Sequence, residues 1–365
     1  VTTLLGAFAL GACGADSDPA PTPAPTPSTL DYKVDEPGPF RAGHRVITTS
    51  YQPPNGLPER TIKVHLWYPT TDSTGETTKY YSIFAEEAFE NATLAPPVEA
   101  AGYPVHVHSH GAWGFAGNSS DLMRWMATHG WVAVAPDHAG HTLPENGKGG
   151  VPLRMYYLRA ADIRASLDAV EKLPAADPLA GKARTDRVSM SGHSFGTNTT
   201  WAVLGARVNA AMVQGYCDEG GHFAEPCAPG DVDALVGMGD PRVVAGIPMA
   251  GAPADWFAGG FDDVKKPAMQ MSAKGDQVGA DKIWEAVKAP DFTWVEFEGG
   301  CHQLFGFGDC PDYPGKEGFV LVDTYAMAFV RQKVQGDAQP RTTEILGGQA
   351  SISTKITYHR KETAS

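Results

Sequence analysis

The segment Gly192-His193-Ser194-Phe195-Gly196 constrains this chain more than any other. It lies between an apolar run, Arg187–Ser191, that reads as a buried strand and a stretch, Gly196–Gly205, with helical character. In the pattern G-x-S-x-G the two glycines let the backbone reverse where a side chain would collide, so the serine is held exposed on a strained elbow. The pattern alone is common in a chain with 41 glycines. Its setting between a strand and a helix gives it meaning, because an elbow of this kind belongs at the C-terminal edge of a parallel sheet.

The surrounding sequence has the rhythm such a sheet needs. Alternating patterns at Val46-Ile47 and Ile62–Tyr68 predict antiparallel strands leading into the domain. Short apolar strands follow at Val105–Ser109, Trp131–Ala135, Arg187–Ser191, Val243–Met249, Ala268–Ser272 and Thr293–Phe297. Helical spacing separates them at Asp121–His129, Leu158–Leu173, Gly196–Gly205, Asp281–Lys288 and Phe319–Gln335. The expected fold is therefore α/β, a mostly parallel sheet with helices on both faces. Residues 70–104 read as a polar stretch without elements, and Ser351–Tyr358 alternates as a further edge strand would.

A serine hydroxyl is a weak nucleophile unless a base takes its proton and an acid orients that base. Asp276 follows the strand Ala268–Ser272, and His302 follows the strand Thr293–Phe297, in the order Ser, Asp, His. Ser194, Asp276 and His302 are accordingly the expected nucleophile, orienting acid and base, with Asp255 and Asp281 as alternative acids. The charge that develops on an attacked carbonyl needs two backbone N–H donors. Phe195, after the serine, is expected to supply one; Ala112, in the glycine turn His110–Gly114, or else Trp113, supplies the other.

These landmarks resemble the α/β-hydrolase fold, and within it the dienelactone-hydrolase-like and platelet-activating-factor-acetylhydrolase-like esterases. The resemblance rests on Ser109-His110-Gly111, Ala135–Gly140, Arg159–Arg164, the elbow, Ala273–Asp276 and Gly300–His302, and spans roughly residues 40–335. It implies a serine carboxylic-ester hydrolase that forms an acyl-enzyme and uses no cofactor or metal. Asp137 and Asp162 read as structural. A looser resemblance to cutinases and polyester hydrolases rests on Pro253–Trp256, an aromatic just after a strand end. Trp113, Phe115, Trp256 and Phe305, with Phe195, are expected to line an apolar acyl pocket. The substrate would be a small-molecule or polymeric ester.

Leu10-Gly11-Ala12-Cys13 resembles the lipobox of bacterial lipoproteins, in which the cysteine is lipid-modified. Residues 1–12 then read as the remnant of a signal peptide. Cys13 and the Pro/Thr-rich run to residue 30 read as an anchor and extended spacer, with lipid the sole membrane attachment. The catalytic domain is expected over 31–336, with a Cys-containing insertion near 206–240 and a C-terminal extension at 337–365. Once Cys13 is set aside, an even set of four cysteines remains. Of the three possible connectivities the local pairs Cys217 with Cys227 and Cys301 with Cys310 are expected in an oxidising envelope.

With 29 Lys and Arg against 42 Asp and Glu, the net charge of −13 argues against nucleic acid as a partner. A monomer is expected. Two rival readings come from other classes. His106, His108 and His110 recur at period two on one strand face, as metal ligands sometimes do. The fold also serves as a non-catalytic binding module in some proteins.

Overall fold

The computed structural model describes residues 28–146, 150–251, 255–288, 291–308 and 310–361, together with Val1. Cys13 and Pro253-Ala254 lie outside the described residues.

Two antiparallel strands, β1 (Arg41–Tyr51) and β2 (Arg60–Thr70), open the domain. The chain continues through β3 (Thr77–Tyr80), β4 (Phe84–Glu90), β5 (Tyr103–Ser109), α1 (Ser120–Thr128), β6 (Val132–Pro136), α2 (Arg154–Glu171) and β7 (Ala183–His193). Then come α3 (Phe195–Leu204), α4 (Ala210–Glu219), β8 (Val243–Met249), β9 (Ala268–Ala273), α5 (Ala280–Ala286), β10 (Phe292–Phe297), α6 (Glu317–Val330), α7 (Pro340–Leu346) and β11 (Ile356–Arg360). One sheet holds all the strands of the described residues, in the order β11-β10-β9-β8-β7-β5-β6-β2-β1-β4-β3. From β6 to β10 every neighbouring pair is parallel.

Alternation within these strands divides the core in two. Val132 and Val134 face the layer built on α2 and α3, with Leu158, Ile163, Trp201 and Val203. Ala133 and Ala135 face the layer built on α1 and α6, with Met123, Met126, Met327 and Phe329. The central strands are buried on both faces, which explains why they read as continuous apolar runs rather than alternating ones. The expected fold class is what the structure has.

Its departures from expectation have local causes. The polar stretch hides β3, which is only four residues long, and β4, whose period is masked by acidic residues. One of these acids, Glu86, is buried and accepts from Trp67 Nε1 at 2.9 Å and from the Tyr80 hydroxyl at 2.6 Å, so a carboxylate fastens this edge to β2. Helix α2 starts a turn before the expected Leu158. Helix α6 ends at Val330 and widens into a π-turn, Arg331–Gln335, where buried Arg331 pairs with Asp337 at 2.8 Å. The alternating tail forms β11, antiparallel to β10.

Chain order makes β5 and β7 the critical neighbours. From β5 the chain crosses to β6 on one side and later returns through β7 on the other, so a crevice opens at their C-terminal ends. Gly196 closes the base of that crevice, because a Cβ there would stand 1.9 Å from the Ser109 carbonyl oxygen. Gly196→Ala is therefore expected to destabilise the fold by more than about 3 kcal/mol or to prevent soluble expression, as overpacking against backbone does. Chemical denaturation of any soluble variant measures this, and unchanged stability would contradict the packing.

Candidate active site

Ser194 follows β7 directly and caps α3 with φ 55° and ψ −118°, a conformation rare for a residue with a side chain. Its own N–H donates to the Met249 carbonyl at the end of β8, at 2.9 Å. Both motif glycines are sterically required, since a Cβ at Gly192 would lie 2.2 Å from the Gly196 carbonyl oxygen. The elbow is thus fixed from three strands, β5, β7 and β8.

Glycines also bring two loops together at the far side of the crevice. Gly275, after β9, approaches Gly300, after β10, so closely that a Cβ on Gly275 would be 2.1 Å from the Gly300 carbonyl oxygen. Gly299 and Gly300 both have positive φ, and the Gly275 N–H donates to the Gly299 carbonyl at 2.8 Å. This junction sets Asp276 beside His302. The His302 Nδ1–H donates to Asp276 Oδ2 at 2.7 Å, and the Ser194 hydroxyl donates to His302 Nε2 at 2.8 Å. Asp276 is mostly buried while the imidazole remains about one-third exposed. Of the three candidate acids, the structure thus brings Asp276 to the imidazole; Asp255 and Asp281 are exposed on other segments.

The two disulfides, Cys217–Cys227 and Cys301–Cys310, each close a short loop. Cys301 immediately precedes the histidine, so the second bridge anchors the loop that carries it. On the other side, buried His193 donates from Nε2 to the His302 carbonyl at 2.9 Å. Burial holds His193 down at about 4, so it is neutral near pH 7.

Opposite the serine, Gly111 packs so closely that a Cβ there would stand 3.2 Å from Ser194 Cβ. The loop carrying Ala112 and Trp113 therefore borders the crevice, with Ala112 exposed and Trp113 at φ 54°. Phe195 is the first residue of α3, so its N–H belongs to those a helix leaves without an internal partner.

The expected pocket is corrected in part. Phe115 and Phe305 are core residues, 2 % and 3 % exposed, packed on Tyr80, Phe84 and Phe297. The residues flanking the serine are instead a row of rings. Trp113 meets His141 edge-on at 4.6 Å, His141 meets Phe195 at 4.8 Å, Phe195 meets Tyr156 at 4.6 Å, and Tyr156 stacks on Trp256 at 4.2 Å. Phe223, inside the Cys217–Cys227 loop, extends the row. Sequence reasoning missed Tyr156 because the extra first turn of α2 carries it. It missed His141, which follows the landmark Ala135–Gly140 directly, because that segment read as structural, and Phe223 because it lies near no motif.

His106 and His108 are fully buried and hydrogen-bond to Ser189 and Ser191 on β7 at 2.7–2.8 Å. His110 turns away from them. It donates from Nδ1 to the Gly111 carbonyl at 2.7 Å and accepts the His138 N–H at Nε2 at 3.1 Å. Among the described residues no three His, Cys, Asp or Glu side chains converge as metal ligands would. Asp137 and Asp162 serve the scaffold: Asp137 accepts from the Ala116 N–H, and Asp162 pairs with Arg60 and His138.

The Chlorophyllase family, α/β-hydrolase-like esterases, has a model that matches residues 85–215. Among solved structures, a ferulic acid esterase from Streptomyces cinnamoneus superposes with a TM-score of 0.55. The match covers 89 % of this chain and 98 % of that one at 17 % identity. No curated protein matches the sequence significantly. The fold is the α/β-hydrolase fold. The finer resemblance to dienelactone-hydrolase-like or platelet-activating-factor-acetylhydrolase-like esterases rests on the sequence motifs alone.

Six histidines behind the crevice are held neutral by burial: His106 and His141 at about 3, His193 at about 4, and His108, His110 and His138 well below the ordinary range. In the unfolded chain the same imidazoles take up protons below about 6.5. The unfolded state thus binds more protons, and stability falls as pH drops from about 6.5 toward 4. Each proton contributes about 1.4 kcal/mol per pH unit. Urea melts between pH 7 and pH 4.5 should give steadily lower stability, with more than one proton taken up on unfolding. A flat profile would contradict the burial of these rings as neutral groups.

Proposed function

We propose that this chain is an extracytoplasmic carboxylic-ester hydrolase that works through an acyl-enzyme on Ser194. The observation that carries the reading is the continuous hydrogen-bond chain Asp276–His302–Ser194 at the switch point of the sheet. The matches to an esterase family model and to the fold of a ferulic acid esterase support it.

In this reading the Ser194 oxygen attacks the ester carbonyl carbon while His302 Nε2 takes its proton, and Asp276 stabilises the imidazolium. The carbonyl oxygen becomes an alkoxide and accepts hydrogen bonds from the N–H groups of Phe195 and Ala112. Collapse expels the alcohol, which leaves with the proton from His302. Water, deprotonated by the same imidazole, then cleaves the acyl-serine and releases the acid. His193 and the Cys301–Cys310 bridge hold the base from its two sides.

The aromatic row from Trp113 to Phe223 borders the nucleophile and suits an apolar or aromatic acyl group; the substrate is a short-to-medium acyl ester or a polyester. Two disulfides favour an oxidising compartment. Among the described residues no helix is long and apolar enough to cross a membrane. Attachment is through lipid on Cys13, or the protein is secreted.

A series of p-nitrophenyl esters from acetyl to palmitoyl should be turned over by the wild-type protein. Ser194→Ala should lose that activity by roughly 10⁴-fold or more. A serine-reactive organophosphate should add its mass at Ser194. Turnover that survives in the variant, or a tag elsewhere, would refute the mechanism. Reducing Cys301–Cys310, or replacing both cysteines with alanine, should lower kcat about ten- to a hundred-fold through misplacement of His302. Unchanged kinetics after reduction verified by mass would show that the bridge does not position the base.

A further inference from the structure

Arg159 on α2 is fully buried, yet among the described residues no carboxylate pairs with it. Asp162, one turn away, is taken by Arg60 at 2.7 Å and by His138 at 2.9 Å. A buried cation without a counter-ion is costly and persists only where other groups compensate it. Here, apart from His141 and the charge of Asp162 one turn away, the compensating groups are parts of the loop and turn that flank Ser194. Nη2 donates to the His110 carbonyl and, at 3.1 Å, to Ser109 Oγ. Nη1 donates to His141 Nδ1 at 3.1 Å and reaches the Gly111 carbonyl at 3.5 Å. The guanidinium carbon stands 4.9 Å from the centre of the Phe195 ring.

The Gly111 carbonyl and the Ala112 N–H belong to one peptide plane and, in the trans form, point in opposite directions. Whatever grips the carbonyl therefore aims the N–H. The grip is threefold, from His110 Nδ1–H at 2.7 Å, the Gly114 N–H at 3.3 Å and Arg159. The same guanidinium lies against the ring of Phe195, whose backbone begins α3. Burial lowers Arg159 to about 9, which still leaves it charged near neutral pH.

We propose that Arg159 is a positioning residue that sets both donors of the oxyanion hole. It holds the Ala112 N–H through the carbonyls of His110 and Gly111, and the Phe195 N–H through the ring of Phe195. The inference rests on the hydrolase reading above. In the resting protein no carboxylate among the described residues bonds the buried positive charge; carbonyl oxygens, Ser109 Oγ, His141 Nδ1 and a ring face meet it, and Asp162 acts on it from one turn away. When the alkoxide forms nearby, the charge gains an anion in a medium that screens it poorly, so its effect is greatest in the transition state.

Arg159→Lys keeps a charge without the planar fork, and Arg159→Met keeps the bulk without the charge. Both should lower kcat for p-nitrophenyl butyrate about ten- to a hundred-fold with KM within about twofold. Affinity for an alkyl trifluoromethyl ketone, which forms a serine hemiketal with its oxyanion in the hole, should fall by a similar factor. Wild-type kcat and ketone affinity in either variant, or a rise in KM alone, would overturn the role. Thermal melting checks folding. If neither variant folds, Phe195→Leu carries the test: it retains the backbone N–H but removes the ring against which the guanidinium rests. It should lose kcat and ketone affinity together, and wild-type values would refute the proposal. Wild-type protein without turnover, or turnover that survives Ser194→Ala, would overturn the hydrolase reading itself. Turnover abolished by Ser194→Ala but intact without Arg159 would overturn this inference alone.

Discussion

The site rests on a close approach between two backbones. The first turn of α3 approaches the end of β5 until only a hydrogen fits between Gly196 and the Ser109 carbonyl. That approach puts the helix, the elbow and the loop after β5 into one rigid junction, and the other features of the site are arranged around it. Gly192 lets the chain reverse, and Ser194 takes up a strained conformation because β5, β7 and β8 leave it no other. A second glycine junction, Gly275 against Gly300, supplies Asp276 and His302 from the opposite bank. The side chains that meet in the crevice are held by peptides that nearly touch.

Beneath this junction the core is polar. A chain of hydrogen bonds runs from Arg159 through Ser109 and His138 to Asp162, which Arg60 and Tyr51 hold from the other side. His106 and His108 add a second set of bonds to the serines of β7. Such networks contribute little net stability over an apolar core and are sensitive to any unsatisfied member. They do fix directions, because each partner accepts only a narrow range of angles. The region that must hold two peptide N–H groups and an imidazole in one geometry is also the region where apolar packing, which has no preferred direction, has been given up.

Much of this was legible in the sequence. The strands β5 to β10 are short apolar runs between helical segments, and a parallel sheet buried on both faces leaves that signature. Ser194, Asp276 and His302 stood out because each follows a strand, and strand ends of a parallel sheet share one edge. Beyond that edge the signal fades. Glu86 reads as one more acid in Phe84–Glu90 until folding buries it beside Trp67 and Tyr80. Phe115 and Phe305 look like pocket residues by proximity to the motifs, and folding turns them into the core. Tyr156 and His141 become neighbours of Phe195, and Phe223 a neighbour of Tyr156, only when α2 and the Cys217–Cys227 loop pack into place.

The sequence by itself therefore determined the order of elements, the fold class and the edge of the sheet where chemistry gathers. Periodicity and glycine placement are local properties that survive in one dimension. Only the tertiary structure decided which acid meets the imidazole, which rings flank the serine, and that Arg159 lies under the loop beside it with no carboxylate among the described residues bonded to it. Those facts depend on distances between residues tens of positions apart, and such distances are set by how whole layers pack.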